Sequence, residues 1–290
     1  AEEIQNFANW FVYYRNREYT VKASLGSVVA DVTSLNVGYA TINRPTTERR
    51  FIQPMEPSFR GTNKSRLLTQ IYEINSSGGT PLRRNLDRAG RYFRCQSGDI
   101  FGSSGSSTPG TGTCPVAPVP AGLCQQQFTL LFTDGEWNGS YTGGVGNEDA
   151  DEPGSPFDGG FFADGVANTL ADVAMFYYET DIHGSLDNLV PTTDRDRALA
   201  ASNAFTDGGN AVMHQHVTTF TVGFGVDGNL TESDIPTQLG GPPATVNWRN
   251  PFNNGLAKFD DLRHAALNGR GDYLSAADPS ALERELRDAF

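Results

Sequence analysis

An acidic residue stands at the end of a predicted buried strand. Residues 128–139 read FTLLFTDGEWNG, so a run of apolar and β-favouring residues leads directly into Thr133, Asp134 and Gly135. In open α/β sheets, ligands bind beyond the carboxyl ends of the strands. A carboxylate placed there, before a glycine that lets the chain turn, suits a hard divalent cation. The alternative interpretation is an aspartate that caps a helix after a core strand.

A second acidic region lies in the loop that follows. It carries four oxygen-bearing side chains at offsets 1, 3, 5 and 12 of a calcium-loop pattern: Asn147, Asp149, Asp151 and Asp158. Glu152 stands where such loops carry glycine, and the twelfth position is an aspartate instead of a glutamate. A solvated acidic loop is therefore the default interpretation.

Two further features could mediate recognition. Arg270, Gly271 and Asp272 form an RGD tripeptide, which in host-binding proteins can engage integrins. The alternative is a turn into the last strand, in which Gly271 relaxes the backbone and Asp272 faces solvent. Trp137, just after Asp134, is either an exposed contact near the site or, as for most large aromatic residues, a lid on the core.

The three cysteines lie within one stretch rich in Gly, Ser and Pro: Cys95, Cys114 and Cys124. Their spacing fits no zinc pattern and no histidine is close in sequence, so a disulfide across a flexible loop is the better interpretation. A bridge between Cys114 and Cys124 would close a short loop, and one between Cys95 and Cys124 would close the whole insertion. Either bridge implies an oxidising compartment and leaves one thiol over.

Composition and missing motifs argue against several classes of protein. The 290 residues carry a net charge of −12 and the pI is about 4.7, with no basic cluster, which argues against a nucleic-acid surface. No apolar run approaches the ~20 residues that a membrane-spanning helix needs. No signal peptide is visible at the acidic start, so we expect a mature or excised segment. Without a G-x-S-x-G elbow, a Walker loop or an H-E-x-x-H motif, we expect no enzyme activity.

Alternating helical and strand patterns predict the fold. Helical periodicity covers residues 2–34, 66–74, 81–93, 165–179, 258–267 and 279–290. Strand patterns cover residues 36–43, 49–53, 128–132, 217–224 and 272–275. Thr80 can cap the helix that begins at Pro81, and Asp278 the last helix. Helices that alternate with parallel-type strands predict a doubly wound, mostly parallel α/β sheet flanked by helices.

We expect a single domain over residues 1–290 with long insertions. These lie at about 94–127, 139–164, 183–214 and 227–255, where Gly, Ser, Pro or Asp are frequent and periodicity is low. An aromatic set near the start is broader than one helix stripe, which indicates a helix buried on several sides or packed on a neighbouring domain. Its members are Phe7, Trp10, Phe11, Tyr13 and Tyr14.

Several sequence words together resemble one family. The strand followed by TDG, the GGTP turn before a helix and the closing GRGDYLSAADPSALEREL resemble a von Willebrand factor A (vWA) domain, which is Rossmann-like. More specific words are EEIQNFANWFVYYRNR, GGTPLRRNLDRAGRYF, LLFTDGEWNG, NTLADVAMFYYETDI, HVTTFTVGFGVDG and HAALNGRGDYLSAADP. In this order, between Glu2 and about Leu286, they are similar to the N-terminal vWA-like region of PilY-type proteins, which are adhesins and biogenesis factors associated with the tip of type IV pili.

The resemblance implies an extracellular protein at the pilus tip or bacterial cell surface, periplasmic in transit. It also implies roles in pilus assembly, surface attachment and twitching motility. The partners that it implies are minor pilins or other pilus-tip proteins, a host or abiotic surface, and a β-propeller domain of the same protein. In the family that domain binds calcium, and its calcium site is not carried over to the residues of this chain.

The resemblance also implies a metal site. A vWA metal-ion-dependent adhesion site takes ligands from three loops, of which Thr80 in GGTP matches the second and Asp134 in FTDG the third. Mg²⁺ or Ca²⁺ would bind these oxygens, and an open position would accept a carboxylate from a partner. The D-x-S-x-S turn of the first loop occurs nowhere in the chain, and its nearest match begins at Asp31. We therefore expect an incomplete site and a first, central strand that is missing from the chain.

A missing central strand would leave the 36–43 and 128–132 strands with unpaired edges inside the sheet. Each orphaned buried backbone group costs on the order of 1–3 kcal/mol, so we expect another segment or a rearranged strand order to fill the gap. Direct pairing between these two strands would contradict this expectation.

The function that we expect is an adhesion and pilus-assembly module that acts through protein or surface contacts. The alternatives are a metal-dependent α/β hydrolase-like enzyme and a purely structural scaffold in pilus assembly. Metal-dependent ligand binding favours the first, hydrolytic turnover the second, and normal assembly after loss of both Thr80 and Asp134 side chains the third.

Overall fold

Helices, one three-stranded sheet and two two-stranded sheets make up the part of the chain that the structure describes. The computed structural model describes residues 3–8, 17–45, 47–56, 61–106, 108–151, 155, 157–192, 212–231, 234–235, 245–276 and 283–284. The helices are α1 (Arg17–Asp31), α2 (Asn63–Glu73), α3 (Leu82–Phe93), α4 (Leu170–Glu179) and α5 (Ala257–Asn268), with a 3₁₀ turn at Ala121–Leu123 and helical backbone at residues 3–8. The strands are β1 (Asn36–Ala40), β2 (Arg49–Pro54), β3 (Phe128–Thr133), β4 (Val190–Pro191), β5 (Val212–Met213), β6 (Thr218–Phe224) and β7 (Arg270–Ala276).

The main sheet has three parallel strands in the order β3–β6–β7. Strand β6 is central and almost wholly buried, which explains why its sequence is rich in Thr, Val and Phe throughout. It pairs with β3 from Phe128 opposite Thr218 to Thr133 opposite Gly223, and with β7 on its other side. This sheet, flanked by helices, confirms the predicted mixed α/β class and is compatible with a vWA or Rossmann-like fold.

Strands β1 and β2 form a separate antiparallel pair. Within the described residues they are not hydrogen-bonded to β3, so the direct pairing that would contradict the predicted gap does not occur. Helix α1 packs against β1 through Val29 and against the main sheet through Val28. Helix α3 lies on the opposite face, where Leu86 shares a core with Ile52 and Leu131. The two helices therefore span a break in the β layer.

The largest core lies between the main sheet and helices α3, α4 and α5. Helix α4 begins with a capping box, in which the Thr169 hydroxyl accepts the N–H of Asp172 and the Asp172 carboxylate accepts the N–H of Thr169. This cap starts α4 at Leu170, five residues after the predicted start. None of the described helices is both long and apolar enough to cross a membrane.

Several predicted details are corrected. Helix α3 begins at Leu82 and has no side-chain cap, so the prediction that Thr80 caps it is wrong. Thr80 contributes only its carbonyl, which accepts the N–H groups of Leu82 and Asn138. In the helical backbone at residues 3–8, Ile4 is 75% and Phe7 65% exposed, so this segment is not buried on several sides. The rest of the aromatic set and the predicted Asp278 cap lie outside the described residues. Of the helix predicted at residues 279–290, only residues 283–284 are described.

The 94–127 insertion is partly a core element and not only a surface loop. Phe101 is buried and meets Tyr92 of α3 edge to face, with ring centroids 4.6 Å apart. Ile100 and Val116 are buried as well. The low periodicity of this segment concealed these anchors because they are single apolar residues between polar turns.

Candidate functional site

The turn before α3 and the loop after β3 meet at the carboxyl end of the sheet. The N–H of Thr80 donates to Asn138 Oδ1 at 3.0 Å, and the N–H of Asn138 donates to the Thr80 carbonyl at 2.9 Å. Gly79 makes this approach feasible, since a Cβ there would lie 2.6 Å from Asn138 Oδ1. The GGTP and TDG turns are therefore neighbours on one rim.

Asp134 and Thr80 present their side chains differently at this rim. Asp134 is exposed and Thr80 is half-buried. Below Asp134, the Thr133 hydroxyl accepts the N–H of Gly135 at 3.2 Å and closes a tight turn. The hydrogen bonds described above join the Thr80 backbone to the backbone and side chain of Asn138, and they do not involve the side chains of Thr80 and Asp134 with each other. A shared Mg²⁺ or Ca²⁺ between the two side chains stays a prediction.

Trp137 lies under the rim. It is 3% exposed, and its indole Nε1–H donates to Asp261 Oδ2 at 2.8 Å. The Arg83 guanidinium lies 4.2 Å from the centroid of the indole, and Phe252 meets the ring edge to face at 5.5 Å. This geometry matches the core-lid interpretation of Trp137, and the part of the cluster that reaches solvent is Phe252, which is 46% exposed.

Asp261 is a buried carboxylate that joins the rim to α4. It accepts the N–H groups of Leu170 and Ala171, both at 3.1 Å, besides the indole of Trp137. Burial raises the pKa of Asp261 to about 7, and its three N–H donors act in the opposite direction. A carboxylate at the N-terminus of a helix is further stabilised by the helix dipole. Asp261 therefore orients α4 relative to the loop that carries Asp134.

Arg83 completes this support, and sequence reasoning missed it together with Asp261. Its guanidinium donates to the carbonyls of Asn168 at 2.9 Å and Gly139 at 3.0 Å, besides stacking on Trp137. Burial lowers the pKa of Arg83, and Asp261 acts against that change. In the sequence, the only indication of their role was that Arg83 in α3 and Asp261 in α5 are charged residues next to inward-facing apolar ones. That indication does not identify the partner of either residue.

The RGD tripeptide lies within β7 and not in a surface loop. Arg270 is fully buried, donates to the carbonyls of Asn268 and Phe157, and stacks on the ring of Phe162 at 3.9 Å. Gly271 is buried and a Cβ there would collide with the Thr219 carbonyl, while Asp272 is exposed. This geometry matches the alternative interpretation, in which the tripeptide leads into the last strand. The strand spans Arg270–Ala276 and is longer than the predicted 272–275.

The disulfide joins Cys95 to Cys114, and Cys124 is a free, exposed thiol. Both bridges considered from the sequence involved Cys124, so both were wrong. Cys95 lies two residues after the end of α3 and has a positive φ of 57°, and its carbonyl accepts the N–H of Ser106, so the loop returns past the helix end. This return brings Cys114 to within 4.7 Å of Cys95 between Cα atoms. Local backbone direction, which spacing does not reveal, decided the pairing.

The calcium-loop pattern does not form one site in the described residues. Asp149 points into the interior and Asp158 is buried, whereas Asp151 is exposed. Asp149 instead lies near Asp164 and His264. The three carboxylates of the pattern therefore do not form a ligand group together.

The fold and the rim together define an α/β protein with a parallel sheet, vWA- or Rossmann-like in architecture. Over 99% of its length the chain is similar to the protein named Type IV pilus biogenesis factor PilY1 of Pseudomonas aeruginosa, at 29% identity for strain PAK over 322 residues and 28% for strain PAO1 over 313 residues. The corresponding protein of strain UCBPP-PA14 is 28% identical over 300 residues and 97% of the chain. These similarities confirm the predicted resemblance to PilY-type proteins.

The chain spans about a quarter of the length of these curated relatives, 26% for the first two and 25% for the third. No family model matches the chain. No solved structure matches it either.

Proposed function

We propose that this chain is a protein-binding module of the type IV pilus biogenesis apparatus, located outside the cell at the pilus or on the cell surface. The observation that carries this proposal is similarity to PilY1 along 99% of the chain. An acidic chain with a net charge of −12, a disulfide and no described membrane-crossing helix suits contacts with other proteins in an oxidising compartment. Minor pilins or other pilus-tip proteins are the proposed partners.

The rim is the proposed contact surface. Its loops are joined by the Thr80–Asn138 hydrogen bonds and are supported from below by Trp137 and Asp261. This support holds the exposed Asp134 and the exposed ring of Phe252 on one firmly packed base. A rigid base lowers the entropic cost of binding, because few side chains must be ordered.

A Mg²⁺ or Ca²⁺ ion at Thr80 and Asp134 would assist this contact. The oxygen donors suit either ion, and a carboxylate of the partner would complete the coordination. Because the chain offers one carboxylate and one hydroxyl at this place, we expect weak metal affinity in the absence of the partner. Adhesion to a host or abiotic surface and support of twitching motility follow as further roles of the same rim.

The test uses the full-length protein in its own bacterium. A Thr80→Ala, Asp134→Asn double variant is compared with a Thr69→Ala, Asp187→Asn control, which changes the same residue types at exposed positions on α2 and on a loop preceding β4. Surface piliation, twitching zones and attachment are measured for both. We expect the rim variant to lose attachment at least tenfold while its protein level equals that of the control.

Three outcomes separate the hypotheses. Loss of attachment with normal piliation supports adhesion at the rim, and loss of piliation supports an assembly contact there. Normal piliation, motility and attachment in the rim variant would contradict the rim as the contact surface and favour a structural scaffold. Normal pili after deletion of the whole chain segment would contradict the role in pilus biogenesis itself.

A further inference from the structure

A second group of metal-ligating side chains lies in the interior and shares no residue with the rim. Asp149, Asp164 and His264 each place one donor atom within 4.8 Å of the others. His264 Nε2 is 3.4 Å from Asp149 Oδ2, and His264 Nδ1 is 3.7 Å from Asp164 Oδ2. The side chains are 0% exposed for Asp149, 5% for Asp164 and 2% for His264.

Each of these side chains is held in place by other groups. Asp149 Oδ1 accepts the N–H of Asp164 at 3.1 Å, and Asp164 Oδ1 accepts the N–H of Val166 at 2.6 Å. His264 Nε2 donates to the carbonyl of Phe162. The Trp248 ring stacks on the imidazole at 4.1 Å and 7°. Fixed outer contacts of this kind are what orient the ligands of a metal site.

These contacts leave two acceptors facing each other. With its proton on Nε2, the imidazole of His264 carries a lone pair on Nδ1, and a carboxylate oxygen of Asp164 lies 3.7 Å from that nitrogen. Two lone pairs at this distance repel unless a cation or a proton lies between them. Ligands about 2.1 Å from a tetrahedral metal ion lie ~3.4 Å apart, so the observed spacing leaves room for an ion.

Asn268 gives an independent sign of an unsatisfied site. It lies one turn after His264 on α5, is 0% exposed, and donates through Nδ2 to Asp149 Oδ2 at 3.1 Å. Its Oδ1 is buried and has no hydrogen-bond partner in the described part of the protein. A buried carbonyl oxygen without a donor is rare in native proteins, and one common reason is a missing ion or water.

The charge of the cluster is also uncompensated. No Lys or Arg among the described residues pairs with Asp149 or Asp164. A neutral imidazole such as that of His264 is the commonest metal ligand among side chains, and a bound cation would balance the two carboxylates.

We propose that Asp149, Asp164 and His264 bind one divalent cation of the zinc class, with the amide of Asn268 bordering the ion. One imidazole nitrogen and two carboxylate oxygens form a ligand set that suits Zn²⁺. Mg²⁺ and Ca²⁺ prefer oxygen ligands alone. The ion joins the 139–164 loop to α5 and stabilises that loop in its folded position. It is structural, and its presence does not depend on the proposed function of the rim.

The test measures zinc binding by the tag-free chain. After removal of metal with EDTA and dialysis, Zn²⁺ is added back, and bound zinc and the Tm are measured. We expect about one zinc per chain and a Tm increase of about 4 °C when free Zn²⁺ is 100 times the Kd. X-ray absorption of the zinc-loaded protein is expected to show nitrogen and oxygen ligands with one imidazole and no sulfur.

Matched variants locate the ion. Asp164→Asn and His264→Gln are expected to abolish the zinc-dependent Tm increase, whereas Thr80→Ala with Asp134→Asn keeps it in full. If a variant does not fold, histidine side-chain NMR of the wild-type protein still tests the site through the shift of His264 Nδ1 on adding Zn²⁺. Absence of zinc binding by the wild type, sulfur ligation, or a response to Ca²⁺ or Mg²⁺ but not Zn²⁺ would each overturn the proposal.

Discussion

Asp261 shows how one side chain can fix three parts of the molecule. Its two oxygens receive N–H groups from the first turn of α4 and from the Trp137 indole, and it belongs to α5. The carboxylate accepts these bonds in a site that excludes water, and above its raised pKa of about 7, where it is ionised, bonds to a charged group are worth about 1.5–3 kcal/mol each. Asp261 is therefore the residue on which the geometry of the rim depends most.

We predict that Asp261→Asn lowers the free energy of unfolding by about 2–4 kcal/mol, because an amide cannot accept all three N–H groups and one is left unpaired. Urea unfolding monitored by Trp fluorescence measures the change. The exposed Asp187→Asn variant is the matched control and is expected to change stability by less than about 0.5 kcal/mol. Equal effects of the two substitutions would contradict the supporting role of Asp261.

His216 gives the molecule a pH dependence of known sign. It is 3% exposed, its Nδ1 lies 2.8 Å from the His214 carbonyl, and its ring meets Tyr178 at 4.8 Å. Burial lowers its pKa from 6.5 to about 4, and the nearby charge of Arg270 acts in the same direction. Between these values the unfolded chain binds a proton that the folded chain does not.

We therefore predict that the contribution of His216 to stability is complete above pH 6.5 and is lost as the pH decreases toward 4. His216 accounts for roughly 3 kcal/mol of that loss, at 1.36 kcal/mol per pKa unit. Replacement by Gln removes the titrating group, so the slope of unfolding free energy against pH decreases by up to one proton. Chemical unfolding at half-unit pH steps measures the slope, and an unchanged slope in His216→Gln would show that the ring titrates normally.

At the scale of elements, a glycine sets the distance between α3 and α4. Gly90 is buried on α3 directly against the Tyr177 ring of α4, where a Cβ would overlap the ring carbons. The Tyr177 hydroxyl donates to Asp87 Oδ1 at 2.8 Å, one turn earlier on α3, so the ring cannot move aside without losing this bond. Gly26 on α1 faces Tyr72 similarly, but Tyr72 is 50% exposed and its ring can move into solvent.

We predict opposite effects for the same substitution at these two positions. Gly90→Ala is expected to destabilise by about 1–3 kcal/mol through overpacking, despite the better helix propensity of alanine. Gly26→Ala is expected to be neutral or to stabilise by up to about 1 kcal/mol, because the propensity gain meets a side chain that yields. Thermal unfolding of both variants tests the comparison, and equal shifts in Tm would contradict it.

The elements were more predictable than their connections. Strand β6 was evident because burial on both faces demands an unbroken apolar and β-branched run, and β3 was evident from a similar run, although the predicted full burial of β3 is wrong because most of its residues are only partly buried. The α4 start was predicted too early, since only the capping box at Thr169 and Asp172 defines it. Asp134 could be expected at the carboxyl edge because it ends a strand, whereas the GGTP turn follows helix α2 and was expected beside it from the family resemblance alone. Arg83, His264 and Asn268 could not be assigned, since their partners lie in segments far away in sequence.

At the scale of the whole molecule, the Cys95–Cys114 bridge fixes an insertion to the end of α3. It closes a loop with a sequence separation of 19 residues. We predict that Cys95→Ser with Cys114→Ser lowers the free energy of unfolding by about 3 kcal/mol, because the unfolded chain regains the entropy of the open loop. Unfolding of the oxidised wild type is the reference.

Cys124→Ser is the control for this prediction. Its thiol is exposed and outside the bridge, so we expect a change of less than about 0.5 kcal/mol. Thiol counting under denaturing conditions should give one free thiol in the wild type. A count of three, or a larger loss of stability in Cys124→Ser than in the double variant, would contradict the described bridge.

The break between the β1–β2 pair and the β3–β6–β7 sheet has a mechanical consequence. In a continuous sheet, a force across the two halves along the strands would load a row of backbone hydrogen bonds in shear. Here, within the described residues, the halves are joined by the packing of α1 and α3 and not by a β ladder. Under tension applied across the two halves, this seam is where the described fold would yield first.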